Sequence, residues 1–388
     1  MKSKQNFVIE NGVLTKYTGP RRELTIPAVV TVIGDEAFKG RKGLTSVTIP
    51  AGVTAIGWSA FYGCTGLTSV TIPESVTEIG NSAFYGCTGL TSVTIPEGVT
   101  KIHDYAFEGC TGLTSVTIPE GVMAIGWCAF FNCTGLTSVV IPESVTAIEY
   151  WAFKGCSSLT SVTIPEGVTE IGEGAFEWCM GLTSVTIPES VTEIGEGAFS
   201  DCTGLTSVTI QEGVTEIGCG AFSGCKGLTS VTIPEGVTEI GEGAFYDCKG
   251  LTSVTIPAGV TTIDKSVFKN SRPVIIAPHI PVGSFDAEDK PGACAGFAKA
   301  YLDSAEIDEE IKAGYLKYIK GQKKRLYPKA IQHEALLQLM FAEKMIPRED
   351  IDLLLEECDK QKNAAAKAAV LDYAHQFDPA DTSKTYKL

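Results

Sequence analysis

Leu44-Thr45-Ser46-Val47-Thr48-Ile49-Pro50-Ala51-Gly52-Val53-Thr54-Ala55-Ile56-Gly57-Trp58-Ser59-Ala60-Phe61-Tyr62-Gly63-Cys64-Thr65-Gly66 is the stretch that decides the fold. Val47 and Ile49 alternate with Ser46 and Thr48, the period of a half-buried strand. Pro50 cannot donate to a ladder and ends that strand. Ile49-Pro50-Ala51-Gly52 suits a type I turn, with Pro second and Gly fourth. Val53 and Ile56 turn back inward, and Gly57 to Tyr62 read as one short helical turn that sets Ala60 and Phe61 inside. Cys64 and Gly66 lead to the next strand.

The unit then recurs. Ten copies begin between Leu44 and Leu251, a degenerate one starts at Glu23, and phenylalanines stand every 23 residues from Phe38 to Phe268. A fixed period of this size means a solenoid, in which each turn buries its apolar face against the next. Stacked strands lie about 4.8 Å apart, so ten of them make a parallel sheet roughly 45–50 Å long. Phe7-Val8-Ile9-Glu10-Asn11-Gly12-Val13-Leu14-Thr15 reads as a hairpin on an Asn-Gly type I′ turn, placed to cover the first open edge. The domains expected are a hairpin cap over 1–22, a solenoid over 23–278 and a small all-α domain over 279–388. In the last, helices are expected near 291–303, 306–320, 327–344, 348–360 and 363–376.

The Leu-x-x-Val-x-Ile-Pro-x-x-Val-x-x-Ile-Gly-x-x-Ala-Phe-x-x-Cys unit resembles the 23-residue BspA-type (Treponema-type) leucine-rich repeat over about residues 24–278. That resemblance implies a right-handed, curved leucine-rich-repeat solenoid with its parallel sheet on the concave face. It also implies a bacterial binding protein rather than a catalyst, since relatives are mainly adhesins and interaction proteins.

Composition narrows the chemistry. Asp and Glu number 46 against 31 Lys and Arg, for a net charge of −15 over 388 residues. Nucleic acid is excluded as a partner, because its affinity rests on basic residues meeting phosphates. Thirteen cysteines stand beside four histidines with no Cys-x-x-Cys, which argues against zinc ribbons and dithiol redox chemistry. Nine of the thirteen, Cys64 to Cys248, share one repeat position and read as buried free thiols; Cys128 and Cys219 lie off register and read as exposed. His333-Glu334 lacks the second histidine of a zinc-protease motif, since residue 337 is Leu. No metal, cofactor or catalytic set is expected, and the chain reads as a non-enzyme. No apolar run reaches the ~18–20 residues of a membrane helix. Met1 to Asn6 is followed by no apolar signal segment, so a cytoplasmic location is expected, with the cell surface as the alternative if the native start lies upstream.

Charge and aromatic patterning give the candidate surfaces. Between Gly43 and Cys225 only Lys101 and Lys154 are basic, against eighteen acidic residues. Glu170, Glu193, Glu216 and Glu239 form one column and Glu173, Glu196 and Glu242 another. These ladders read first as a solvated face and second as a patch for a basic partner. Lys320, Lys323, Lys324, Arg325 and Lys329 make a basic run that reads as a solvated or capping face. Large aromatics fall where the repeat varies: Trp58, Tyr62, Tyr85, Tyr105, Trp127, Phe131, Tyr150, Trp151 and Trp178. Residues four apart in the helical turn, such as Trp58 with Tyr62 and Trp127 with Phe131, would share a face. Clustered Trp and Tyr anchor interaction surfaces, or they pack on neighbouring rungs and shield a thin core. The leading expectation is a scaffold for a protein or peptide, with a surface adhesin as alternative; oligomeric state is not legible.

Overall fold

Because the unit is 23 residues long throughout, equivalent residues of successive turns pair side by side. Ser46 faces Ser69, Val47 faces Val70 and Thr48 faces Thr71 in parallel register, and the pattern continues to Ser230, Val231 and Thr232 against Ser253, Val254 and Thr255. The computed structural model describes residues 6–377 and shows a parallel β-solenoid of about 11 turns followed by 5 helices. The Ser-Val-Thr strands form one face, in stretches of three and nine strands. A second face of two-residue strands, such as Ala55–Ile56 and Glu78–Ile79, runs in stretches of five and seven that include the hairpin. In the first face Ser and Thr point to solvent while Val turns inward.

The interior is built of columns, each made of one residue type repeated. Phe38 to Phe268 stack ring on ring, nearly parallel, from 4.9 Å between Phe38 and Phe61 to 5.7 Å between Phe245 and Phe268. Each buried ring contributes about 2–3 kcal/mol of hydrophobic stabilisation. Tyr17 and Phe7 extend this column into the hairpin. The threonine before each Ser-Val-Thr strand has a structural reason of its own. Thr68 sends both its backbone N–H and its hydroxyl to the Thr45 carbonyl at 2.9 and 3.0 Å, one turn back.

Two local expectations change. The turn after each strand closes one residue later than expected: Val53 N–H donates to the Pro50 carbonyl at 3.0 Å, and Val76 to Pro73 likewise. The segment Gly57–Tyr62 is not helical. Ser59 (φ 52°) and Gly63 (φ 65°) are left-handed, which interrupts any helix. The N–H groups of Ser59, Phe61 and Gly63 instead donate to the carbonyls of Asn81, Ala83 and Tyr85 on the next turn, at 2.7–3.0 Å. The solenoid's third side is therefore held by bonds between turns as well as within them.

Both ends are covered. Strands β1 (Phe7–Glu10) and β2 (Val13–Tyr17) form the antiparallel hairpin, and β2 then pairs in parallel with Val32–Ile33. Asn11 and Gly12 both have positive φ, as a type I′ turn requires. At the other end the last strand, Val274–Ile276, pairs with Ser253–Thr255. Helices α1 (Lys290–Leu302), α2 (Glu309–Gln332), α3 (Glu334–Ala342), α4 (Ile351–Gln361) and α5 (Ala364–Ala374) follow. Helix α2 runs through residues 321–326, expected as a break, and carries Pro328 inside it; the chain breaks instead at the extended His333. The basic run lies within α2, and four of its five residues have partners within the protein. Lys323 and Lys324 both reach buried Asp350 at 3.1 Å, Arg325 donates to the Ala287 carbonyl and Lys329 to that of Arg272.

Candidate binding surface

Within each turn of the solenoid, the loop around the buried Phe presents four variable columns. Trp58, Trp127 and Tyr150 stand three residues before the Phe, and Tyr105 and Trp151 two before. Tyr62, Tyr85 and Phe131 stand one after it, and Trp178 two after. The columns two before and two after are left-handed along the solenoid. Tyr105 (φ 59°), Trp151 (φ 57°) and Trp178 (φ 61°) occupy sites that other turns fill with Gly, Ser, Asn, Asp, Cys or Glu. Bulky side chains there are uncommon and cost on the order of 1 kcal/mol each. Trp58, Tyr105, Trp127, Tyr150, Trp151 and Trp178 are all exposed, with Trp58 at 49%. Tyr62, Tyr85 and Phe131 are half-buried.

Contacts among these rings run mainly between turns, since the loop is not a helix. Tyr62 stacks on Tyr85 with centroids 4.6 Å apart, and Trp127 on Tyr150 at 5.6 Å. Lys39 lies over both Trp58 and Tyr62, at 5.6 and 5.2 Å, so this pair does share a face. Lys154 is held between Trp151 and Trp178, 5.0 and 4.7 Å from their ring centres, with its ammonium 2.7 Å from the Glu177 carboxylate. These surfaces hold ammonium groups by charge and by ring faces together. Sequence reasoning missed Met180, which takes the place of a repeat threonine. It is half exposed and lies with Trp178 in an apolar cavity of about 500 Å³. The signal that could have found it is the break in the repeat at that position.

The acidic columns lie beside the aromatic ones. A groove of about 630 Å³ is lined by Glu173, Glu177, Glu196, Glu242, Tyr246 and Lys269, with exposed Cys219 on its wall. Glu216, in the other column, has its carboxyl pushed up by partial burial and then by Glu193 and Glu239 on either side. The register thiols are buried, and each donates to the carbonyl of a Phe one turn back, as Cys64 does to Phe38 at 3.1 Å. Cys128, expected at the surface, is buried as well. Its column admits small side chains beneath neighbouring turns, as at Ser59, whereas Tyr105 and Trp151 are too large and emerge. Among the described residues no group of three or more His, Cys, Asp or Glu could hold a metal ion. His333 is a break between helices whose imidazole burial pushes down to about 4. No helix among the described residues is long and apolar enough to cross a membrane.

Comparison with known proteins identifies the repeat. The BspA type leucine-rich-repeat region, a six-copy family model, matches residues 31–160, 77–206 and 148–275. Among solved structures, a leucine-rich cell surface protein from Faecalibacterium prausnitzii is 34% identical, over 72% of this chain and 93% of its own, with a TM-score of 0.44. A leucine-rich repeat protein from Bacteroides ovatus is 28% identical, over 64% and 76%, with a TM-score of 0.45. One from Eubacterium ventriosum is 26% identical, over 68% and 84%, with a TM-score of 0.46. No curated protein matches the chain. The 23-residue turns, their in-register columns and the family match over most of the solenoid place the chain in the BspA-type leucine-rich-repeat family.

Proposed function

We propose that the protein is a non-enzymatic scaffold that binds a protein or peptide through the variable loop columns of its solenoid. One observation carries this reading: six of the nine candidate aromatics are exposed, three of them in left-handed backbone that glycine would occupy at lower cost. Residues that lower stability without being buried are accounted for by what they touch in a complex. The partner columns are Trp58, Tyr62 and Tyr85, then Tyr105, Trp127, Phe131 and Tyr150, then Trp151 and Trp178. The neighbouring carboxylates favour a basic partner and disfavour nucleic acid. The free thiols favour a reducing, cytoplasmic setting, which fractionation of the native cell tests. A surface adhesin is the second reading, favoured by the 34% identity to a protein described as a cell surface protein.

The test uses variants chosen from the repeat itself. Trp151→Gly installs the residue found at Gly174, Gly197, Gly220 and Gly243, and Trp58→Ala and Trp127→Ala remove rings that are about half exposed. Each variant should melt within about 1 kcal/mol of the parent, while capture of partners by the triple variant drops at least tenfold against the parent chain. Unchanged capture would remove the aromatic columns from the interface. A large loss of Tm would make them structural.

A further inference from the structure

The first turn of the solenoid breaks the repeat in a way that the binding surface does not use. Three residues after the Phe, nine turns carry a buried Cys, and the last carries Ser271, whose hydroxyl donates to the Phe245 carbonyl just as the thiols do. The first turn carries Arg41 at this position and Lys42 where the next turns hold Thr65 and Thr88. Arg41 is half-buried, with its guanidinium 5.9 Å from the ring centre of Tyr17, the buried tyrosine that heads the aromatic column.

A cavity of about 290 Å³ opens there, lined by Tyr17, Arg21, Gly40, Arg41, Lys42 and Gly43 among others, with no carboxylate in its wall. Nearby Lys39 has its own partner, Glu36, at 2.6 Å, whereas none of Arg21, Arg41 and Lys42 makes an ion pair among the described residues. Residues 1–5 carry no carboxylate side chain either. Tyr17 accepts a hydrogen bond from the Arg21 N–H at 3.3 Å, which leaves its own hydroxyl proton as a further donor. In a chain of net charge −15, the half-buried Arg41 guanidinium, the exposed Arg21 and Lys42 and the Tyr17 phenol surround one cavity with no protein anion among them. Partly buried charges are held by partners, and guanidinium forks match the oxygens of phosphate and carboxylate.

We propose that this cavity is an anion site for a tetrahedral oxyanion, a phosphate or sulfate group carried as a monoester. The donor groups outnumber what the two oxygens of a carboxylate can use, and they suit the three terminal oxygens of a monoester. The volume exceeds that of a free ion and leaves room for the carrier. A Cβ placed on Gly40 or Gly43 would meet nothing within 4 Å, so the mouth stays open.

The test is calorimetric titration of the full chain with inorganic phosphate and with phenyl phosphate, at ionic strength held constant with chloride. Wild type should bind both saturably, phenyl phosphate at least as tightly. The double variant Arg41→Cys with Lys42→Thr restores the repeat residues and is therefore expected to fold; it should weaken binding at least tenfold. Arg21→Gln, outside the repeat, should weaken it as well, and Lys39→Ala should not. Binding of inorganic phosphate with exclusion of the ester would overturn the monoester assignment. Absence of saturable binding by wild type overturns the proposal, as does unchanged affinity in both Arg41→Cys/Lys42→Thr and Arg21→Gln.

Discussion

The cysteine column shows how a single residue takes its chemistry from a stack. A thiol at one position is a small hydrophobe; repeated every 23 residues it becomes a row of S–H groups, each bonded to a Phe carbonyl one turn back, as in Cys156 to Phe130 at 3.2 Å. Burial pushes Cys64, Cys110, Cys156, Cys202, Cys248 and Cys294 up from 9.0 to about 12. The sign of the pH effect follows. The unfolded chain releases these protons near pH 9 and the folded chain near 12, so their contribution is intact below about pH 9 and is lost as pH rises above it. Each thiol removes on the order of 1.4 kcal/mol per pH unit in that window. Tm followed by circular dichroism should be flat from about pH 7 to 8.5 and then fall steeply, with unfolding at 25 °C complete before about pH 11. A Tm that holds through about pH 10.5 would contradict the assignment. Cys219 is the exposed thiol and the one expected to react promptly with a thiol reagent in the native protein.

At the scale of elements, the docking of α1 decides how the solenoid ends. Gly292 and Gly296 lie so close to the last strand that a Cβ would overlap the carbonyls of Pro273 and Ile275. Tyr315 of α2 donates to the Ile280 carbonyl at 3.2 Å and locks a second helix against the same end. Gly296→Ala should therefore destabilise the protein by about 2 kcal/mol or more, since backbone has to move. Gly314→Ala in α2 meets open space and should stabilise by about 0.5–1 kcal/mol. Denaturant unfolding of both variants checks the pair; equal effects would mean that α1 does not seat on the strand. The repeat grammar predicted neither the missing helical turn nor the shifted Pro50 turn. Both depend on which carbonyl of a neighbouring turn receives an N–H, a choice made between turns.

Across the whole molecule the charge is stacked in columns. Glu170, Glu193, Glu216 and Glu239 pair directly across adjacent parallel strands, where stacked like charges are destabilising. Glu216, pushed up by partial burial and by both neighbours, takes a proton more readily folded than unfolded, so its own contribution to stability grows as pH falls and is lost as pH rises. Raising NaCl from about 0.05 to 0.5 M at pH 7 should raise Tm by a few degrees, because added ions screen the column. Glu216→Gln should raise Tm at about pH 7 and have less effect near pH 5. A Tm indifferent to both salt and Glu216→Gln would show that the column is already neutralised.

Most of the architecture was written in the period. A 23-residue unit with Val, Ile, Ala, Phe and Cys at constant places can bury those groups only by stacking, so the solenoid, its buried columns and its free thiols were determined by the sequence itself. The Asn11–Gly12 turn was equally legible, because positive φ at two successive residues has few residue solutions. Tertiary structure alone decided which irregular residues reach solvent. Cys128 and Tyr105 share one column, yet the first is buried and the second exposed, because neighbouring turns leave room for a small side chain only. It also decided that Lys154 sits between Trp151 and Trp178, and that Arg41 and Arg21, twenty residues apart, line one cavity. Periodicity reports what is common to every turn; contacts made by the exceptions depend on where the turns are placed against one another in space.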